Sequence, residues 1–162
     1  METITNITYP TFALFAFACF AFAPQARATC QRGCDTSNGN TLLADDALIN
    51  NTTGINNTAT GSATLLNNTT GTDNTALGWN ALISNSTGNL NTAIGSVALL
   101  YNNGDVNTAT DNNALTLNTT GSYNTANGWG ALYNNTTGSV NTAVGVNALA
   151  SNTIGGGQHG HW

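Results

Sequence analysis

Residues 74–82 read NTALGWNAL, and residues 124–132 read NTANGWGAL. The two phrases belong to one repeat, whose units start with an Asn-Thr pair and are 17 residues long, except for one unit of 16. The seven units begin at Asn40, Asn57, Asn74, Asn91, Asn107, Asn124 and Asn141. A short fixed period over residues 40–157 predicts a fold built by stacking one structural unit on the next.

Five positions of the unit, counted from its first Asn, hold the same residue in all seven copies. Positions one and twelve are Asn, position two is Thr, position nine is Leu and position fifteen is Gly. Positions three and eight are Ala in six copies each. The invariant leucines are Leu48, Leu65, Leu82, Leu99, Leu115, Leu132 and Leu149.

A unit of this length is too short for two helices and their turn, and its Gly and Asn residues disfavour helix. It does suit one coil of a parallel β-solenoid or β-roll, with two or three short strands and with Gly or Asn at turns that need positive φ. Coils stacked about 4.8 Å apart place equal positions above one another. We therefore expect an all-β rod of about seven coils, with a seam of Leu, close-packed Ala and ladders of Asn amides.

The segments on either side of the repeat indicate export and capping. Residues 12–23 are apolar and uncharged, and an Ala-Arg-Ala cleavage sequence ends at Ala28. Residues 1–28 are therefore predicted to be a bacterial-type secretory signal peptide, which makes the protein secreted or cell-surface. The apolar run is shorter than the roughly 20 residues of a membrane-spanning helix. We expect residues 29–39 to cap the first coil and residues 158–162 to be a flexible tail.

Charged side chains are scarce, at 6% of the chain, and no Lys is present. After Ala28 the chain carries six Asp and a single Arg, Arg32. Nucleic-acid binding needs cationic side chains that neutralise phosphates, so this class of function is excluded. Low complexity alone can indicate disorder, but here apolar residues recur at fixed positions, which favours a packed fold.

The phrases NTALG at 74, NTAIG at 91 and NTAVG at 141 resemble the head repeats of trimeric autotransporter adhesins. They are also similar to Asn-Thr-Ala-rich arrays of bacterial surface proteins and phage tail-fibre-like proteins. The resemblance implies a β-roll, three chains packed side by side, and contact with a host or other extracellular surface. The unit here is longer than the usual adhesin coil, and no stalk or membrane anchor of that family follows residue 157, so we expect the head-like part alone.

No set of residues suggests catalysis, a cofactor or a bound metal, and we do not expect an enzyme. The two histidines, His159 and His161, lie in the expected tail, where two ligands make a poor metal site. The aspartates are interpreted as solvated turn residues, because the Gly-Gly-x-Gly-x-Asp sequence of Ca²⁺-binding solenoids is absent.

Three other features are candidates for structural or binding roles. Cys30 and Cys34 are interpreted as a structural disulfide of an exported chain, with two free thiols as the alternative. Trp79 and Trp129 share position six, and their rings suit either packing between chains or a carbohydrate platform. The position-two threonines are the remaining candidate for a surface contact: Thr58, Thr75, Thr92, Thr108 and Thr125.

Three functions fit these features. The favoured one is a structural or adhesive β-solenoid that acts by surface display, adhesion or fibre assembly. It would be a homo-oligomer, either a trimer or an end-to-end assembly, because the ends of a solenoid expose unpaired edges. The second is ice binding through a Thr ladder, although only one Thr per coil is invariant. The third is a functional amyloid or extracellular filament subunit, which an Asn-rich chain of low charge would suit.

Overall fold

The computed structural model describes residues 32–35 and 37–161, and for residues 32–35 it describes the backbone alone. This part of the chain contains nine strands and no helix, so no helix in it could cross a membrane. The strands are β1 (Arg32–Asp35), β2 (Asn40–Leu43), β3 (Thr58–Thr60), β4 (Thr75–Leu77), β5 (Thr92–Ile94), β6 (Thr108–Thr110), β7 (Thr125–Asn127), β8 (Thr142–Val144) and β9 (His159–His161). The predicted signal peptide lies outside the described residues.

The strands form one sheet in chain order, and β2 to β9 are all parallel. Each strand pairs with the equivalent strand of the next coil, so that Thr75 lies beside Thr92 and Thr92 beside Thr108. This register confirms an all-β parallel solenoid of about seven coils with equal positions stacked above one another. Of the strands that the structure describes, β1 alone runs antiparallel, and it pairs with β2 at the N-terminal end of the repeat.

Each coil contributes one three- or four-residue strand, where the sequence had suggested two or three strands. The rest of the coil is turn, yet its backbone still bonds to the neighbouring coils. The Leu48 N–H donates to the Thr64 carbonyl at 3.1 Å, and the Asn50 N–H donates to the Leu66 carbonyl at 3.2 Å. Backbone hydrogen bonds between neighbouring coils therefore continue through the turns, although the backbone there is not extended as it is in a strand.

Positive φ angles explain why only one strand forms in each coil. The invariant Leu at position nine is left-handed in every coil, with φ between 49° and 54°. Position five also has positive φ in every coil, with Gly at 121° to 134° and the exceptions Ala44 at 140° and Asp111 at 95°. Left-handed residues bend the chain sharply and end the extended conformation.

The invariant Gly at position fifteen has a different role from the one predicted. Its φ is not positive, and it is needed because the next coil approaches too closely for a side chain. A Cβ built on Gly121 would lie 2.3 Å from the Gly138 carbonyl oxygen and 2.4 Å from Asn118 Oδ1. These distances are shorter than any van der Waals contact, so only Gly permits the observed stacking.

The core consists of the predicted Leu seam and two Ala columns, which are confirmed as buried. Position-nine leucines are fully buried from Leu65 to Leu132, and the alanines at positions three and eight are buried with them. Thr64 replaces Ala at position eight and remains buried, because its hydroxyl donates to the Gly61 carbonyl at 2.8 Å.

Two Asn ladders line the same interior and confirm the predicted amide stacking. Asn124 is representative of position one: its Nδ2 donates to Asn107 Oδ1 at 3.1 Å and to the Gly138 carbonyl at 2.9 Å. Its Oδ1 accepts from both the N–H and the Nδ2 of Asn141. In position twelve, Asn135 Nδ2 donates to the Gly138 carbonyl and to Asn118 Oδ1. The buried amides are thus satisfied on both sides by neighbouring coils.

The fourth coil, which is one residue shorter, keeps both side-chain bonds to its invariant Gly. The position-one amide after it changes partner, because Asn107 Nδ2 donates to Asn102 Oδ1 at 3.2 Å. Asn91 Nδ2 and Asn102 Nδ2 both donate to the Gly104 carbonyl, at 2.9 and 2.8 Å. The bond from Asn102 spans two residues, whereas it spans three in the other coils. The deletion is absorbed in the turn before Gly104, and the core positions on either side remain in register.

The two ends of the rod differ. At the N-terminal end β1 covers the edge of β2. At the C-terminal end, residues 159–161, which the sequence analysis places in a flexible tail, form β9 on the edge of β8. Gln158 takes the place of the position-one Asn, and its N–H donates to Asn141 Oδ1 at 2.9 Å. The Gln158 N–H thus makes the bond that the position-one N–H makes in the preceding coils, and residues 158–161 begin an eighth coil.

Candidate functional site

The outer surface of the strands repeats in register from coil to coil. Side chains at positions two and four point outward on either side of the buried position three. The residue before the strand, position seventeen, is also exposed, while position one is buried. We call the exposed residues at positions seventeen, two and four the contact face. Asp73 is its only charged residue in the seven coils.

The position-two threonines occupy the centre of the contact face. They are exposed or half-buried in every coil, and each lies in direct register with the Thr of the next coil. The candidate residues are thereby brought into one row with a spacing of about 4.8 Å. The members of that row are Thr41, Thr58, Thr75, Thr92, Thr108, Thr125 and Thr142.

An apolar row on position seventeen, which sequence reasoning missed, runs beside the threonines. It extends without interruption over four coils and consists of Leu90, Val106, Tyr123 and Val140. Tyr123 is 62% exposed and Val140 is 58% exposed. All four residues have φ near 60°, a strained conformation for β-branched Val. The sequence does carry a signal for this row, because these four residues occupy the same position of the repeat and are all apolar or aromatic, although their identities differ.

Position four adds further apolar side chains to the other edge of the face. Leu43, Leu77, Ile94 and Val144 are all exposed there. Thr60 and Thr110 occupy the same column, so two coils present a Thr-Ala-Thr strand. The Thr110 hydroxyl is buried and has no hydrogen-bond partner among the described residues. The face as a whole combines hydroxyl and apolar groups and almost no charge.

Trp79 and Trp129 lie beyond the strand, on the corner after position five. They are 57% and 47% exposed, so their rings are available for contacts outside the chain. They are three coil-to-coil steps apart, which corresponds to roughly 14 Å along the rod. Ser96 and Asn112 fill the same column between them and carry no charge. The structure thus keeps the two indoles on one line but does not bring them into contact with the threonine row.

The remaining candidates do not form a chemical site. Asp45, Asp46, Asp73, Asp105 and Asp111 are exposed turn residues, as interpreted from the sequence. Within the described residues, no group of three or more His, Cys, Asp or Glu side chains lies close enough to hold a metal ion. Cys30 lies outside these residues and only the backbone of Cys34 is described, so the disulfide stays a prediction.

A cavity of about 420 Å³ opens at the C-terminal end of the rod. Leu149, Ala150 and Gly160 contribute to its lining, together with the polar Ser151, Asn152 and Gln158. It lies at the end of the coil interior among the described residues, where Leu149 is only half-buried. Comparison of this chain with protein-family models, with curated proteins and with solved structures found no match. The similarity to adhesin heads therefore stays a prediction.

Proposed function

We propose that the protein is a secreted or cell-surface structural rod that functions by side-by-side assembly and by adhesion to an extracellular surface. The observation that carries the proposal is the uninterrupted apolar row from Leu90 to Val140 on an otherwise hydroxyl-rich, nearly uncharged face. Exposed apolar rows of this kind mark surfaces that contact other molecules. The export signal predicted for residues 1–28 is consistent with a role outside the cell.

A second copy of the chain is the best occupant of the apolar row. The row runs parallel to the rod axis, so identical rods can contact one another along their length. Packing three rods around one axis would bury all three rows at once, which is also what the similarity to adhesin heads implies. The Trp79 and Trp129 side, around the corner of the coil, would then stay open for adhesion.

The oligomeric state of the exported chain in solution tests the assembly step. Light scattering should give the mass of a trimer for the wild-type chain. Replacing Tyr123 and Val140 by Ser should convert it to a monomer that keeps its circular dichroism spectrum. Ile49→Ser is the matched control, since Ile49 is 52% exposed but lies outside the contact face. A wild-type monomer, or an Ile49 variant that dissociates equally, would contradict assembly through the row.

The adhesion step is tested separately on defined surfaces. Binding of the chain to films of a neutral polysaccharide and of an alkyl monolayer is compared for the wild type, Trp79→Ala and Trp129→Ala. The double substitution should reduce binding at least tenfold, because aromatic rings provide large apolar contacts without charge. Val146→Ala is the control, since Val146 is exposed at the same position six of the last coil. Equal loss in the control would assign binding to general hydrophobicity.

Ice binding is the second candidate, and the register of the position-two threonines favours it. A flat row of hydroxyl and methyl groups at constant spacing is a regular array that a crystalline surface can match. The large and varied side chains at position four, such as Leu77 and Asn127, weigh against it. Thermal hysteresis of the wild type decides the matter. Thr92→Tyr should abolish any activity, whereas Thr70→Tyr, on another side of the coil, should not.

A further inference from the structure

The last strand, β9, carries both histidines of the chain on one face. His159 and His161 occupy positions two and four of the eighth coil, and both are exposed. Alternate residues of a strand point to the same side. Between them Gly160 takes the interior position, where a Cβ would lie 2.6 Å from Leu149 Cγ. The two imidazoles therefore extend outward from a strand that is held in place by its pairing with β8.

The outer edge of β9 is unpaired in the described part of the chain. The sheet order ends at β9. In each earlier coil the position-two N–H donates to the position-one carbonyl of the following coil, as from Thr142 to Gln158 at 2.8 Å. No described coil follows β9, so the N–H and carbonyl groups of His159 and His161 face outward without a partner. Such an edge is a template for another strand.

Two copies of this edge are complementary to each other in an antiparallel arrangement. A two-fold axis at Gly160 places His159 opposite the partner's His161, and His161 opposite the partner's His159. Both are hydrogen-bonded pairs of an antiparallel ladder, in which the two residues exchange two N–H···O=C bonds at a Cα separation of about 5.5 Å. Opposed residues in a sheet point to the same face, so the junction gathers four imidazoles on one side.

We propose that two copies of the C-terminal edge pair in this way and bind one divalent transition-metal ion of the Zn²⁺ class between their four histidines. Neutral imidazole suits Zn²⁺, Cu²⁺ and Ni²⁺, and Zn²⁺ takes four ligands in tetrahedral geometry. One chain supplies two ligands, too few for a stable site. The site is therefore incomplete without the partner copy.

Strand pairing and metal binding reinforce each other at this junction. Three-residue edges that exchange four hydrogen bonds are marginal alone, because short isolated strand pairs are barely stable in water. The metal supplies the missing free energy only when both edges are in place. β9 is also the outermost of the described strands, so the rest of the seventh coil does not obstruct the approach of a second copy. The pairing joins rods end to end, at right angles to the side-by-side contacts of the apolar row.

The test uses the full chain, first treated with a chelator and then dialysed. ZnCl₂ is added stepwise while light scattering after size exclusion gives the mass. We expect the mass of the metal-free species to double, whatever its oligomeric state, with completion at half an equivalent of Zn²⁺ per chain and reversal by chelator. Replacing Zn²⁺ with Co²⁺ should give the strong visible absorption of a tetrahedral four-nitrogen site.

Single substitutions separate the imidazoles from the strand edge. His159→Asn and His161→Asn should each abolish the doubling of mass. Each should also weaken Zn²⁺ binding by more than the roughly tenfold loss that follows removal of a residue that only hydrogen-bonds to a metal ligand. Gln158→Ala is the control, since its side chain is exposed and adjacent, and it should behave like the wild type. Three results would overturn the proposal: no Zn²⁺ binding, binding at one equivalent without a change of mass, or doubling that survives both histidine variants.

Discussion

Asn124→Ala tests whether the buried amide ladder holds the coils together. The residue sits in the sixth coil, with coils on both sides, and its side chain is about 99% buried. Its Oδ1 is the acceptor for the Asn141 N–H at 3.0 Å. Alanine removes this acceptor and leaves that backbone donor buried without a partner.

The expected loss of unfolding free energy depends on which hydrogen-bond partners of Asn124 keep another partner in the variant. The Gly138 carbonyl still accepts from Asn135, and Asn141 Nδ2 still donates to the Gly155 carbonyl. The Asn141 N–H alone becomes an orphan, at a cost of about 1–3 kcal/mol. With the lost amide bonds and packing, we expect a destabilisation of about 2–4 kcal/mol. That corresponds to a shift of the folding equilibrium by roughly 30- to 700-fold.

The measurement is urea unfolding followed by far-ultraviolet circular dichroism at a fixed chain concentration, with the free energy extrapolated to water. Asn112→Ala is the matched control, because the Asn112 side chain is exposed, and it should stay within about 0.5 kcal/mol of the wild type. If Asn124→Ala were as mild as Asn112→Ala, the ladder would not contribute to stability. A changed slope in urea would instead indicate that the coils no longer unfold together.

Other substitutions test the backbone geometry of the coil. A volume-conserving change in a core typically costs less than about 1.5 kcal/mol. Leu132→Ile should destabilise the chain by more than this, because the left-handed φ of 53° strains a β-branched residue. Leu132→Met, which is not β-branched, should cost less. Leu115→Ala should cost about 2–5 kcal/mol in urea unfolding, and Leu149→Ala at the open end clearly less. Gly121→Ala should prevent cooperative folding at 37 °C, because a backbone oxygen lies 2.3 Å from the new Cβ. Gly157→Ala has no neighbour within 4 Å of the new Cβ and should cost only about 1 kcal/mol, because of its positive φ. Equal effects within any pair would contradict the geometry.

Much of the fold follows from the repeat in the sequence. A period of 17 residues with constant Asn, Leu and Gly columns is enough to predict stacked coils, the interior of Leu and Ala and the amide ladders. These features depend only on equal positions lying above one another. The outward direction of the Thr column also follows, because it alternates with the buried Ala of position three.

The backbone conformation inside the coil could not be read in the same way. Leu disfavours positive φ, so nothing in its identity predicts that Leu99 is left-handed at 52°. The tertiary demand to turn the chain while keeping an apolar side chain inside overrides the local preference. Likewise, the repeat does not predict the strand at His159, because the residues there differ from the Asn-Thr-Ala of the other coils. The Gln158 N–H nevertheless donates to Asn141 Oδ1, as the backbone N–H of position one does in the coils before it.

The shortened fourth coil shows which part of the unit is free to change length. Asn91 and Asn102 both reach the Gly104 carbonyl although one residue is missing before it. This turn thus differs in length between coils without disturbing the stack, and the same place can be used in protein engineering. A peptide epitope inserted between Asn135 and Gly138 would be displayed at a fixed height on the rod. Several such insertions, one per coil, would present epitopes in a line along the rod at intervals set by the spacing of the coils, about 4.8 Å.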